Sequence, residues 1–231
     1  MTPHAIPLGV VTGFGAEAAI IRELLGPSAA VVCAGGRPMR AEALAGELIR
    51  GGARHLVSFG IAGGLAPEFT PGALVISHHV RDGETRHQGD ADWAARIAAK
   101  LAASGLSPVM GMVAGAERAV TNPSEKLALF RSSGAIACDL ESAGVARAAR
   151  ANGTPFVVLR AIADPAARTV PEAALVGLRE DGSTDIAAVL AGLLRAPGEI
   201  VDLIGTALEA RRALGVLRRA SVSLGRSFGV V

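Results

Sequence analysis

The sequence predicts an α/β protein, a single-domain, three-layer fold around a central mixed, mostly parallel sheet. Three observations lead there. Short apolar runs alternate along the chain with stretches of helical period, the order that builds strand–helix–strand units. One run, Phe156-Val-Val-Leu-Arg-Ala-Ile-Ala-Asp164, is almost continuously apolar, as a strand covered on both faces must be. Gly- and Pro-bearing turns separate the runs, as at Gly35-Gly36-Arg37-Pro38 and Pro71-Gly72, where the chain must reverse.

The elements follow in order. Residues 8–12 read as the first strand, broken by Gly13-Phe14-Gly15, and 16–25 as the helix after it. Residues 29–33 form a second strand and 39–50 its helix. A third strand at 55–59 ends in a glycine-rich turn at 60–65. Residues 73–80 are expected as one strand and 81–92 as a polar loop. A helix at 93–103, a strand at 109–114 and a short helix at 123–131 come next. Ala137-Cys138-Asp139-Leu140-Glu141-Ser142 reads as a strand tip breaking into a helix, which Asn152-Gly153-Thr154-Pro155 stops. After Asp164-Pro165 the pattern weakens. Residues 166–183 read as a lid, and 185–194 and 198–217 as two terminal helices separated by Pro197. A main domain at 1–195 and a helical extension at 196–231 are the expected organisation.

The chain of 231 residues suffices for one full core. The formal net charge is +2, which carries no global nucleic-acid signature. Its distribution is uneven. Residues 211–231 hold Arg211, Arg212, Arg218, Arg219 and Arg226 and no acid, so the remainder is at −3, an asymmetry of the kind seen in surface-binding tails. Cys33 and Cys138 sit in apolar runs without metal spacing and are expected as buried free thiols. No basic segment followed by a long apolar stretch opens the chain, and no apolar run reaches the roughly 20 residues that span a bilayer. No signal peptide and a cytoplasmic location are the expectations.

Several residues carry chemistry. Gly13-Phe14-Gly15-Ala16-Glu17-Ala18 fits a dinucleotide-binding fingerprint. However, the second strand ends without the acid that grips a ribose, and Glu17 would oppose a pyrophosphate. No nucleotide cofactor is therefore expected. Read alone, Glu17 is a first-turn Glu favoured by the helix dipole. Gly60-Ile61-Ala62-Gly63-Gly64 is either a tight turn or a place where the backbone N–H groups of Ile61, Ala62 and Gly63 bind a hydroxyl, water or anion. Asp139, Glu141, Arg160 and Asp164 fall at strand ends, where open α/β sheets bind ligands. Of the histidines, His78 and His79 should point to opposite faces of a strand and His87 should lie in the polar loop. No metal site is expected.

Three motifs in matching order, Gly60-Ile-Ala-Gly-Gly-Leu65, Asp139-Leu140-Glu141 and Arg160-Ala-Ile-Ala-Asp164, resemble the nucleoside phosphorylase and nucleosidase superfamily. The likeness is to its methylthioadenosine/S-adenosylhomocysteine nucleosidase branch, and including the tail to the hopanoid-associated phosphorylase group. It runs from about Gly9 to Asp164. It implies a phosphorylase/hydrolase-like fold in which Glu17 activates a water and Asp164 protonates the leaving purine. Glu141, with Leu140 and Asp139, would grip the ribose. Arg160 would hold the water or an anion. The loop containing Ala119 and Val120 would read the base. Two departures stand out: Ile61 replaces the Ser usual in that branch, and Arg118 stands where an aromatic ring is usual.

The implied activity is hydrolysis of an adenosine-type nucleoside with release of adenine, adenosylhopane giving ribosylhopane in the hopanoid-associated group. Phosphorolysis, the small-substrate nucleosidase activity and a non-catalytic nucleoside- or lipid-binding module are the alternatives. Phosphate-using relatives surround the anion with arginines, one early in the chain, whereas here the first Arg or Lys is Arg22. The resemblance also implies a homodimer or higher homo-oligomer. In a helix, the five tail arginines fall within roughly 120° of arc at about 100° per residue. Ala210, Ala213, Leu214, Leu217 and Leu224 fall on another arc. Residues 210–231 would then either contact the inner membrane surface or pack their apolar arc on the domain.

Overall fold

The structure, a computed structural model, describes residues 8–26, 29–171 and 200–230. The described residues form ten strands and six helices: β1 Leu8–Thr12, α1 Gly15–Leu25, β2 Ala29–Cys33, α2 Pro38–Arg50, β3 His55–Gly64, β4 Leu74–Ser77, β5 His79–Asp82, β6 Thr85–Gln88, α3 Ala91–Ala103, β7 Pro108–Met110, β8 Val113–Gly115, α4 Pro123–Ser133, β9 Ala137–Asp139, α5 Ser142–Asn152, β10 Phe156–Asp164 and α6 Ile200–Leu224.

The strands form one mixed sheet organised on β3. That strand pairs in parallel with β1 along its first half and with β10 from Leu56 to Gly63, and its end, at Gly63 and Gly64, also pairs antiparallel with β9. From β10 the sheet continues through β4 to β7, and from β9 through β8 and β5 to β6. Pairings of β1 with β2 and β3, β3 with β10, β4 with β7, and β8 with β5 and β9 are parallel. Among the described residues, β10–β4, β3–β9 and β5–β6 are antiparallel. The expected mixed, mostly parallel sheet is what forms.

Alternation along the strands sends side chains to two cores. Val10, Val57 and Leu159 pack under α1, α3 and α6, against Ile21, Trp93, Ile97 and Leu217. Their neighbours Val11, Leu56 and Val158 pack under α2 and α5, against Ala45, Leu48, Val145 and Ala146. The result is the expected three layers. Buried on both faces, β10 is apolar throughout except at Arg160 and Asp164. Helix α5 sits tightly on α2 because Gly144 has no side chain: a Cβ there would lie 2.4 Å from the carbonyl oxygen of Pro38.

Four local expectations are corrected. The glycine run at 60–64 is not a turn but the second half of β3, because it finds partners on both sides in β10 and β9. The strand expected at 73–80 breaks at His78 into β4 and β5. The polar loop after it is the β5–β6 hairpin, in which His87 is 5% exposed and lies 3.4 Å from Asp82. Because His78 lies at the break rather than within a strand, its ring and that of His79 meet at 4.0 Å between centroids instead of facing apart. No group of metal-ligating side chains occurs among the described residues.

At the C-terminus the apolar arc of α6 docks on the domain. Ala213, Leu217, Ala220 and Leu224 are fully buried, whereas Arg211, Arg212, Arg218, Arg219 and Arg226 face outward. The Trp93 indole N–H donates to the Phe228 carbonyl at 2.9 Å and fixes the end of the chain. No described helix is long and apolar enough to cross a membrane. The first of the two expected terminal helices and most of the expected lid lie outside the described residues.

Candidate active site

The C-terminal ends of β1, β3 and β10 converge with the β9–α5 junction, and there the fold buries an arginine among carboxylates. Arg160 is fully buried on β10. Its Nη2 donates to Ser58 Oγ at 2.7 Å and to Glu141 Oε2 at 3.2 Å. Its Nε lies 2.7 Å from Asp139 Oδ2, an ion pair away from hydrogen-bond alignment. Glu17 adds a third carboxylate to its field.

Each carboxylate is itself held. Asp139 Oδ1 accepts the backbone N–H groups of Glu141 at 3.0 Å and Ser142 at 2.8 Å, an Asx turn that opens α5. Its Oδ2 accepts the Ser142 hydroxyl. With both oxygens engaged, Asp139 serves to orient Arg160 and α5. Glu17 Oε2 accepts the N–H groups of Gly13 and Phe14, both at 2.9 Å, and Oε1 that of Ile61 at 2.8 Å. Glu17 thus combines its place in the first turn of α1 with a bond across to β3. Glu141 keeps Oε1 against the backbone of Gly13, where a Cβ would lie 2.6 Å away. Gly60 is constrained likewise: a Cβ there would meet Glu17 Oε1 at 2.5 Å and Arg160 Nη1 at 2.6 Å.

One guanidinium facing three buried carboxylates cannot neutralise them all, so protons must be retained. Burial raises the pKa of Glu17 against the pull of Arg160 and its backbone donors. Burial pushes Glu141 up to about 8, with Asp139 and Glu17 adding to the rise and Arg160 opposing it. A carboxyl tuned as Glu141 is can carry a proton near neutral pH.

Asp164 lies apart from this cluster, at the end of β10 opposite Gly63 in the sheet register. Its Oδ2 accepts from Lys126 Nζ at 2.5 Å. Burial raises its pKa, and Lys126 works against that rise. Beside it an open cleft of about 430 Å³ is lined by Pro165, Ala167, Arg168, Thr169, Asp202 and Glu209. A second hollow, lined in part by Arg86, Thr154 and Phe156, lies at the opposite end of β10 and away from these groups.

The structure therefore gathers Glu17, Asp139, Glu141, Arg160 and Ile61, with Ala62 and Gly63 continuing β3 toward Asp164. Leu140 is half-buried at the β9–α5 junction. Ala119 and Val120 lie in the half-buried loop before α4. Val120 packs against the small cluster of Leu65, Ala114, Ala135 and Cys138, and Val170 N–H to the Thr121 carbonyl, at 2.8 Å, ties the loop to the segment after β10. Arg118, which stands where an aromatic ring is usual, is paired within its own segment. It donates from Nη2 and Nη1 to Glu125, at 2.8 and 3.1 Å, on an exposed surface, because the Asn122 cap fixes Glu125 in the first turn of α4 within its reach. Sequence reasoning missed Ser58, Ser142 and Lys126. For Lys126 a signal existed, since it precedes Leu129 and Phe130 by one helical turn and so shares their inward face.

The chain matches the Phosphorylase superfamily over residues 4–196 and belongs to it. Among solved structures it is similar to a mutant of Helicobacter pylori futalosine hydrolase, with 17% identity, coverage of 81% of this chain and 98% of that one, and a TM-score of 0.66. It is similar to a mutant of Helicobacter pylori MTAN with 5′-methylthioadenosine in its active site, with 14% identity, 92% and 96% coverage and a TM-score of 0.67. It is also similar to the Streptococcus pyogenes S-adenosylhomocysteine nucleosidase in complex with 5-methylthiotubericidin, with 16% identity, 90% and 98% coverage and a TM-score of 0.65. No curated protein matches the chain.

The raised pKa of Glu141 sets a sign for stability. A carboxyl that holds its proton more tightly folded than unfolded contributes stability that is complete below its unfolded value. That contribution is lost as pH rises through its folded value. For Glu141 the window runs from 4.5 to about 8. Thermal melts across it should show Glu141→Gln losing less stability with rising pH than the wild-type protein. Parallel declines would place the titration elsewhere.

Proposed function

We propose that the protein is a purine nucleosidase that hydrolyses the N-glycosidic bond of an adenosine-type nucleoside and releases adenine. The observation that carries this reading is the surplus of buried carboxylates around Arg160. A ribose losing its base becomes positively charged, and a preorganised site rich in carboxylate favours that charge over the neutral ground state. Glu141 accepts hydrogen bonds from the ribose hydroxyls. A water at the free lone pair of Glu17 Oε1 gives its proton to Glu17 while its oxygen attacks C1′. The C1′–N9 pair leaves with the base as Asp164 protonates N7, so that adenine departs neutral.

Water is preferred to phosphate as nucleophile for an electrostatic reason. The guanidinium of Arg160 already serves Asp139, Glu141 and Ser58, and Glu17 beside it would repel a phosphate dianion. The nucleosidases among the similar structures support the same reading through what they bind. Adenine should therefore appear in phosphate-free buffer, and Asp164→Asn should lose about 10²–10⁴-fold in turnover with binding nearly intact. A phosphate requirement, or full turnover in the variant, contradicts the mechanism.

The proposal extends to a lipid-linked substrate, adenosylhopane giving ribosylhopane, met at the inner surface of the membrane by a homo-oligomer. What supports the membrane contact is the outward arc of α6. The exposed side chains of Val201, Ile204, Leu208 and Val222 share that arc with its arginines, at about 100° per residue. Asp202 and Glu209 fall on another side. Apolar side chains among arginines suit an anionic bilayer, each Arg adding on the order of 1 kcal/mol. In vesicle flotation with anionic lipid, the full chain should float, and a chain carrying Arg211→Glu and Arg219→Glu should not. Equal flotation of the two removes the membrane contact.

A further inference from the structure

Lys126 has no part in the chemistry above, yet it is fully buried, a setting that lysine almost never occupies unpaired. Its ammonium has three hydrogens, and three acceptors meet them: Asp164 Oδ2 at 2.5 Å, the Pro165 carbonyl at 3.0 Å and the Arg168 carbonyl at 3.0 Å. All three belong to one short stretch that begins with the carboxyl assigned to protonate the base. Backbone carbonyls alone would suffice for a lysine that only closes a loop. Here the shortest contact goes to a carboxylate oxygen.

We propose that Lys126 is the positioning residue of Asp164, holding Oδ2 and the following carbonyls so that Oδ1 is the oxygen presented to the leaving base. This rests on the nucleosidase reading. The carboxyl is fixed in one rotamer by a partner on a different element, α4, and α4 is fixed by the Asn122 cap. The charge acts as well. The titratable and charged groups facing Asp164 among the described residues are Lys126 from α4, Cys138 from β9, Arg168 beyond β10 and Glu209 from α6. Burial and Glu209 push the carboxyl toward its protonated form, and Lys126 restrains it.

Two readouts on Lys126→Met test this, the carboxyl-carbon NMR titration of Asp164 and the pH profile of kcat with 5′-methylthioadenosine as probe. Losing the ammonium should raise the Asp164 midpoint by about one pH unit or more. A general acid works protonated, so the alkaline fall of kcat should move up with it. Loss of the fixed rotamer should lower kcat by about tenfold to a hundredfold, with KM little changed. An unmoved midpoint overturns the proposal. A midpoint that moves while the kcat profile stays in place keeps the Lys126–Asp164 coupling but removes Asp164 as the acid, and the positioning role falls with it. Should Lys126→Met not fold, Lys126→Gln removes the same charge and must show the same shift.

Discussion

The end of the molecule where the strands converge is built around a guanidinium that cannot reach water. Arg160 projects from a strand buried on both faces, and an unmatched charge in that position would be prohibitive. Its partners come from several of the elements that meet there: Ser58 on β3, Asp139 on β9, Glu141 at the start of α5 and Glu17 on α1. Those partners are anchored in turn, Asp139 by opening α5 and Glu17 by binding the backbone just after β1 and across to β3. Two positions beside them must be glycine, because at Gly13 and Gly60 the carboxylates and the guanidinium occupy the space of a Cβ. The requirement to match one charge thus fixes the register of β3 against β10 and the place where α5 begins. Burial raises Glu17 and Glu141, with Asp139 and Glu17 adding to the rise of Glu141, and the surplus of carboxylate over that one charge is the feature a cationic ribose would exploit.

Much of this was legible beforehand because the relevant residues are punctuated in the sequence. The continuous apolar run of β10 has only Arg160 and Asp164 as polar interruptions, so both announced themselves. Asp139 and Glu141 stand at a break between an apolar tip and an Ala-rich helix. Glycines mark close approach, but they do not say whether the approach is a turn or an extended strand. At 60–64 the partners that make it a strand are distant in sequence, at β9 and β10. Lys126 shares a helix face with Leu129 and Phe130, but a lysine on a short polar helix ordinarily faces solvent, and its acceptors, which satisfy the buried ammonium, lie 38 residues and more downstream. The pairing of Arg118 with Glu125 was not legible because Glu125 is set by a helix cap whose geometry the sequence does not display.

The C-terminal helix belongs to the same mechanical unit. Its buried arc completes the core over β10. Arg168, whose carbonyl binds Lys126, also donates from Nη2 to Glu209 Oε1 at 2.6 Å and from Nε to Oε2 at 3.1 Å. A line of contacts therefore runs from α4 through Lys126 and the segment after β10 to α6. Asp164 sits within it, in a setting where α6 supports the core on one side and turns apolar and basic side chains outward on the other.

The most direct test of the account is a crystal structure with a non-hydrolysable adenosine analogue. The account requires the ribose hydroxyls on Glu141, with Arg160 still paired to Asp139, and the purine N7 facing the Asp164 oxygen that Lys126 does not hold. An analogue bound elsewhere, for example in the hollow beside Phe156, with Glu141 still closed against Arg160 and Gly13, would contradict it.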